Sequence, residues 1–288
     1  MRTLVRCRQL CHRFNALTNL FLAVDYNPSK VLRHFFPPQL YYAFRAVQLR
    51  TGAVVSGSTV LKLLSHEQFT PHDLDIYVDI NCDLSALFNF LTSTNKFTYA
   101  ARNTQHADLT SEVNIRRRQI NDCVLSSDYS TCGAITVLDF YTSSARKIQV
   151  ILCVDEPRTC LLRFHCTAVM NYITHDSIVC LYPRATLLDK VNCSTNGPLA
   201  DGRLLLKYAE RGWRPVNADH CMPHDPRFTK GELECWAVRS FQDQHCLSIR
   251  IAGNLGHGAQ AVAASGVNRV TVWEQRRDGF GGMALEYI

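Results

Sequence analysis

The chain has 288 residues, 47% of them hydrophobic, and a formal net charge of +6 at pH 7. This length suits one large domain or two smaller ones, and the apolar fraction is enough for a sizeable core. No apolar run reaches the roughly eighteen residues of a membrane-spanning helix, so we expect no membrane partner. The modest positive charge leans toward a phosphate-rich ligand.

The first predicted segment, residues 1–37, is basic. Four arginines between residues 2 and 13 precede the first acidic residue, Asp25. Such a start is typical of a mitochondrial transit peptide, and equally of a basic helix packed on the domain. The thirteen cysteines are scattered without a C-x-x-C pair, which fits a reducing compartment. We therefore expect an intracellular protein, cytoplasmic or nuclear, with a mitochondrial location as the alternative.

The second predicted segment, residues 38–156, begins with a helix that leads to a short strand ending at Ser56. Gly57 then turns the chain and lets the backbone approach a ligand closely. We expect Ser58 or Thr59 to cap the helix that follows. Because free N–H groups at a helix N-terminus attract anions, Gly57 and Ser58 are the predicted phosphate-binding residues.

An acidic strand follows at residues 73–79, with the sequence DLDIYVD. Asp73, Asp75 and Asp79 fall on one of its faces, and the apolar residues fall on the other. Two neighbouring carboxylates repel each other unless a cation lies between them. Mg²⁺ (or Mn²⁺) suits such a pair, because it keeps positions for water and substrate phosphate. The pattern predicts that Asp73 and Asp75 are the metal-binding and catalytic residues.

The rest of the chain is assigned more coarsely. The polar stretch 95–133 predicts a long insertion or lid, and its basic run at 116–118 suggests a solvated loop or, alternatively, a nucleic-acid or polyphosphate contact. A hairpin over 134–154 would complete a small mixed sheet. From there we expect a helical C-terminal half over 157–252. Half of the fourteen glycines fall in the last part, 253–288, which we expect to be a mobile tail.

The Gly-Ser turn and the D-x-D strand resemble the signature of the nucleotidyltransferase superfamily, which includes DNA polymerase beta. The wider chain, over about residues 38–236, is similar to uncharacterised fungal nucleotidyltransferase-like proteins, including its segments 163–171, 181–186 and 207–213. The resemblance implies an α+β fold in which the Gly-Ser pair holds nucleotide phosphates and the D-x-D pair holds two Mg²⁺ ions. It also implies that Lys207 meets the triphosphate.

The same resemblance implies a third carboxylate, on a later strand, that holds the acceptor-side metal. The matching strand covers residues 147–153, and Gln149 stands at the expected position. A neutral amide cannot supply the missing charge. Asp79, Asp139 and Asp155 are candidates to replace it. The alternatives are that Asp79 ends its strand, that Asp139 is a hydrogen-bonded sheet residue and that Asp155 is a helix N-cap.

Two functions remain open at this point. The first, favoured by the pair of acids, is Mg²⁺-dependent transfer of a nucleoside monophosphate from a nucleoside triphosphate to an acceptor, with release of pyrophosphate. The acceptor could be RNA, a protein or a small molecule. The second, favoured by Gln149, is a catalytically impaired nucleotide-binding or protein-interaction module that keeps the same fold.

Overall fold

The computed structural model describes residues 10–94, 96–122, 133–154, 156–195, 202–216, 233, 238–251, 272–277 and 283–287. The fold is mixed α+β, as the sequence predicts. Asp155 and much of the predicted tail lie outside these ranges. Within these ranges, no helix combines the length and the apolar character that crossing a membrane requires.

The described α-helices are short, and most lie in the first half of the chain. They are α1 (His12–Asp25), α2 (Ser29–Leu32), α3 (Tyr41–Thr51), α4 (Ser58–Ser65), α5 (Ser85–Asn89), α6 (Leu109–Asn121), α7 (Pro157–Leu161) and α8 (Gly202–Glu210). Tighter or wider helical turns cover Pro38–Leu40, Phe90–Thr94, Thr167–Val169 and Arg184–Leu188.

The described strands run through the whole chain. They are β1 (Val54–Ser56), β2 (Asp73–Asp79), β3 (Thr98–Ala100), β4 (Ala134–Tyr141), β5 (Lys147–Cys153), β6 (Asn171–Ile173), β7 (Ser177–Cys180), β8 (Val191–Cys193), β9 (Arg214–Val216), β10 (Val238–Ser240), β11 (Leu247–Arg250), β12 (Val272–Arg277) and β13 (Met283–Tyr287).

One eight-stranded sheet organises the fold, in the order β11-β7-β6-β1-β2-β5-β4-β3. Its neighbouring strands are antiparallel except for β2 and β5, which run parallel. Two smaller sheets have the orders β10-β12-β13 and β8-β9. The parallel pair matters for the site, because it places β5, the strand on which a third carboxylate was expected, directly beside the acidic strand β2.

The alternation predicted for the acidic strand is confirmed. Leu74, Ile76 and Val78 are fully buried in the main hydrophobic core, whereas the residues between them are half-buried. A strand with one apolar face is held in register by that face, since a slip of one residue would bury the carboxylates. The core therefore fixes which way the acids of β2 point.

Buried polar side chains fasten β1 to β6 on the other side. Gln48, which is fully buried, donates from its amide to the carbonyls of Ala53 and Ile173, at 3.2 and 3.1 Å. The hydroxyl of Ser56 donates to the carbonyl of Asn171 at 2.6 Å. These bonds hold the end of β1, and hence the turn that follows it.

The predicted helical C-terminal half is wrong. Helix α7 ends at Leu161, and Asn171–Ile173 is a strand of the main sheet. The apolar residues that suggested a continuous helix here belong to separate elements, namely a turn, an isolated bridge and a strand. Short apolar runs do not distinguish helix from strand by periodicity. Strands β6, β7 and β11 belong to the same sheet as β1, so the main sheet includes strands from both sides of the predicted boundary at residue 157. The domain boundaries themselves stay predictions.

The stretch 95–133 is also more regular than predicted, because it contains β3 and the thirteen-residue helix α6. The carboxylate of Asp108 caps α6 by accepting from the backbone N–H of Ser111 at 2.8 Å. Within the basic run, Arg116 pairs with buried Glu112, and Arg117 donates to the carbonyl of Ile80. Arg117 therefore ties α6 to the residue that follows β2, and Arg116 pairs within the helix, so neither lies in a solvated loop.

Candidate functional site

The turn between β1 and α4 depends on a glycine. Gly57 has φ +77° and ψ −156°, a backbone conformation that is essentially reserved for glycine. A Cβ added there would lie 2.2 Å from Oδ2 of Asp75. The backbone at Gly57 and the Asp75 carboxylate are thus in direct contact, because no side chain separates them.

The predicted helix cap is different from the observed one. Gly57 is the N-cap residue of α4 and Ser58 is already its first helical residue, with no side-chain cap bond. Thr59 instead donates its hydroxyl to the carbonyl of Asp73, at 3.0 Å. The first N–H groups of α4 therefore have no cap from a side chain, and Thr59 ties this helix to the start of the acidic strand.

Two rows of side chains cross the sheet at this point. In the first row, Ser56 is in register with Asp75, Asp75 with Gln149, and Gln149 with Asp139. Residues that pair across neighbouring strands project from the same face of a sheet, so these side chains lie side by side. In the second row, Asp73 is in register with Lys147. Gln149 therefore stands one strand away from Asp75.

Asp139 is occupied by its neighbours. Arg102 donates to both of its oxygens, Nε to Oδ2 at 2.9 Å and Nη2 to Oδ1 at 3.1 Å. The amide of Gln149 donates to Oδ1 at 2.8 Å, and the Lys147 ammonium lies 3.3 Å from that oxygen. Burial opposes ionisation of Asp139, but the hydrogen bonds from Arg102 and Gln149 outweigh it and lower its pKa. This geometry favours the hydrogen-bonded sheet residue over the metal ligand.

Asp75 has the opposite environment. Burial, followed by the charge of Asp73, raises the pKa of Asp75 to about 7, and Lys207 and Lys147 partly oppose this rise. Both lysines are therefore close enough to act electrostatically on the acid pair. Lys207 comes from α8, and its ammonium lies 5.6 Å from the ring centre of Tyr208. The structure thus brings together Gly57, Asp73 and Asp75, and the charge of Lys207 acts on Asp75.

The acid pair could hold one divalent cation but lacks a third acidic partner. Across the described ranges, no group of three His, Cys, Asp or Glu side chains could hold a metal ion. Two carboxylates with open positions for phosphate oxygens fit the few protein ligands that Mg²⁺ takes beside a nucleotide. The two carboxylates thus fit one ion bound beside a nucleotide. They do not fit a centre in which three carboxylates hold two metal ions.

Other candidates belong to the scaffold. Asp79 ends β2 and accepts from the backbone N–H of Asn81 at 2.8 Å, which fits its alternative interpretation. Asn171 and Lys190, two further polar residues that a nucleotide could contact, also have partners: Asn171 donates to the carbonyl of Ala168, and Lys190 pairs with Glu67. Asp155 stays a prediction, since it lies outside the described residues.

A cavity of about 680 Å³ opens at the opposite end of β1 and β2, beside Gly52 and Asp79. Asp79 lies four residues beyond Asp75 on an extended strand, a span of ~13 Å. Charged side chains that line this cavity already have partners: Arg158 pairs with Glu156, and Asp176 accepts from Thr174. The cavity is therefore separate from the acid pair.

Sequence reasoning missed Lys147 and Arg102 as parts of the site. Lys147 carried a usable signal, because it stands two residues before Gln149 and shares its face of the strand. Arg102 carried none, because it lies in a stretch with no periodic pattern and reaches Asp139 only through the folded sheet.

Replacing Gly57 by alanine should strongly destabilise the protein, by roughly 2 kcal/mol or more, because the added methyl group meets both an unfavourable φ and the Asp75 carboxylate. Urea unfolding measures the change. Gly52→Ala is the matched control, since Gly52 has φ +66° but nothing within 4 Å of the added Cβ. Equal losses for the two variants would contradict a specific contact between Gly57 and Asp75.

The stability of the metal-free protein should fall as the pH rises from about 4 to about 7, and it should level off above that. The folded-state pKa of Asp75, about 7, lies above its ordinary value of 3.8, so between these two values the folded protein keeps a proton that the unfolded chain has lost. Asp75→Asn should flatten the profile and be the more stable form at pH 8, by roughly 1–2 kcal/mol. Thermal unfolding from pH 5 to 9 measures both effects. Asp79→Asn, on the same face of β2, should keep the wild-type slope, and a flat wild-type profile would refute the assignment.

Comparison with known proteins identifies no relative of this chain. No protein family, no curated protein and no solved structure matches it. The resemblance to the nucleotidyltransferase superfamily therefore stays a prediction from the sequence.

Proposed function

We propose that this protein binds a Mg²⁺-nucleoside triphosphate at the junction of β1, α4 and β2, as a nucleotide-binding module of the nucleotidyltransferase type. The contact between Gly57 and the Asp75 carboxylate carries the proposal. It sets a glycine turn that precedes a helix directly against a pair of acids. A triphosphate chelated to a divalent cation needs both of these features within a few ångströms of each other.

The phosphate side of the proposed site is built from backbone. The Asp75 carboxylate fills the space beside Gly57, so the attraction for phosphate comes from the first N–H groups of α4, which have no side-chain cap. The positive end of the helix dipole adds to this attraction. Lys207 would supply a full positive charge on the same side, as its effect on Asp75 indicates.

The metal side is built from Asp73 and Asp75. When bound, Mg²⁺ would neutralise part of the triphosphate charge and orient the phosphate groups. Without it, Asp75 holds its proton near neutral pH because its burial and Asp73 disfavour the ionised form. The two carboxylates would therefore bind the cation in exchange for that proton, which couples nucleotide binding to pH.

Binding without efficient transfer is the function supported best. Transfer requires that an acceptor hydroxyl lose its proton, and a third carboxylate helps with that step in the superfamily that this chain resembles. Here the matching position is an amide, and the nearest further acid, Asp139, is engaged by Arg102 and Lys147.

Nucleotidyl transfer is the second candidate, and the two lysines favour it. The charges of Lys147 and Lys207 both act on Asp75, and positive charge beside the acid pair would stabilise the negative charge that develops during displacement of pyrophosphate. The acceptor would then be positioned by the sheet face beyond β5. It would be an RNA, a protein or a small molecule.

Nucleoside triphosphates should raise the thermal stability of the protein only when Mg²⁺ is present. Binding to the native state at a hundredfold excess over Kd adds about 2.7 kcal/mol, a shift of a few degrees. The measurement compares each of the four triphosphates, with and without Mg²⁺, on wild type, Asp75→Asn and the control Asp79→Asn. The shift should vanish in Asp75→Asn and persist in Asp79→Asn. The absence of any shift in the wild type would refute the proposed site.

Transfer should be undetectable in the wild type. The measurement follows label from α-³²P triphosphates into pools of RNA and of protein, together with pyrophosphate release. Wild type should match Asp75→Asn, whereas Gln149→Asp, which restores a carboxylate beside Asp75, should gain activity. Wild-type incorporation that Asp75→Asn abolishes would establish the second candidate instead.

A further inference from the structure

We infer that Lys147 supplies the second positive charge of this site, in the place of an acceptor-side metal ion, so that the site takes one divalent cation per nucleotide. The inference rests on the proposed nucleotide site. It concerns how many metal ions that site holds and which side chain replaces the missing one.

Lys147 lies between the acids that would otherwise share a metal. Its register partner on β2 is Asp73, and its ammonium is 3.3 Å from Oδ1 of Asp139 on the other side. The ring of Tyr141 lies 5.7 Å from the ammonium and further restricts it. The charge of Lys147 also acts on Asp75. An ammonium is thus fixed in the region between Asp73, Asp75 and Asp139.

The neighbouring groups leave no anionic ligand for a second metal. Gln149, in register with Asp75, is neutral and directs its amide N–H to Asp139. Asp139 already accepts from Arg102 through both oxygens. A second divalent ion would have to displace these donors and approach a positively charged lysine. Like charges a few ångströms apart repel each other strongly in a partly buried site.

The ammonium differs from the metal ion it replaces. It can attract a phosphate oxygen or the oxygen of an acceptor, and it neutralises charge there. It cannot lower the pKa of a bound hydroxyl as a metal ion does, because it forms no coordinate bond. One divalent ion with one lysine therefore favours binding of the triphosphate over activation of an acceptor.

Counting bound Mn²⁺ tests this directly. Electron paramagnetic resonance of free Mn²⁺ is titrated with the full chain in the presence of a saturating, non-hydrolysable triphosphate analogue. We expect one Mn²⁺ per bound nucleotide for wild type and for Lys147→Met, whose nucleotide affinity should fall on the order of tenfold. The double variant Lys147→Met/Gln149→Asp should bind two. Lys30→Met is the matched control, because it removes a lysine that is also 3.3 Å from an aspartate, Asp25. It should leave affinity and count unchanged.

The outcomes separate this inference from the function on which it rests. No Mn²⁺-nucleotide binding by the wild type would overturn both. Binding with two Mn²⁺ per nucleotide would overturn the inference and leave the nucleotide site standing. Unchanged nucleotide affinity in Lys147→Met, or a single Mn²⁺ in the double variant, would also refute the role given to Lys147.

Discussion

The contact between the Gly57 backbone and the Asp75 carboxylate is the constraint on which the site depends. It exists because Ser56 is in register with Asp75, which sets the end of β1 against the middle of the acidic strand. Everything that places β1 therefore places the turn as well, including the buried amide of Gln48 and the hydroxyl of Ser56. A polar site at the sheet edge is positioned by polar groups that are themselves buried and satisfied.

The acids on the sheet face beyond that contact have different neighbours. Asp75 is followed by a neutral amide, Asp139 by a bidentate arginine, and Asp73 by a lysine. The positive and negative charges largely cancel on the β4 side, where Asp139 pairs with Arg102 and Lys147. The acid pair on β2 lies near lysines, but no described residue forms an ion pair with it. The face is thus divided into an open acidic half and a closed, internally paired half.

The sequence was most informative where one physical rule acts alone. The alternation of residues 73–79 follows from a strand with one buried face, and residues 147–153 form a strand as predicted, which pairs with the acidic strand. It was least informative where contacts join distant segments. The ion pair of Arg102 with Asp139 has no local signature, and the buried surface of helix α6 consists mainly of Glu112 and Val113, too little for an apolar stripe.

The C-terminal half was misjudged because spacing alone cannot separate a short helix from a short strand. All three residues of Asn171–Ile173 are buried, so this strand does not show the alternation of a half-buried strand. Its partner β1 is equally short and equally buried, and each of the two strands includes one buried polar residue, Asn171 in β6 and Ser56 in β1. Only the pairing with β1 and β7 assigns β6 to the sheet.

The parallel pairing of β2 with β5 has a consequence for how the chain is made. Asp75 and Gln149 are adjacent in space, but β3, α6 and β4 intervene between their strands in sequence. Contacts of such high sequence separation form slowly, because a long loop must close, at a cost in entropy, before these contacts can stabilise the chain. During synthesis the glycine turn and the acidic strand leave the ribosome well before β5. Until β5 arrives, one edge of β2 has no partner, and the three aspartates of β2 are then the charges that oppose unwanted strand pairing of the growing chain.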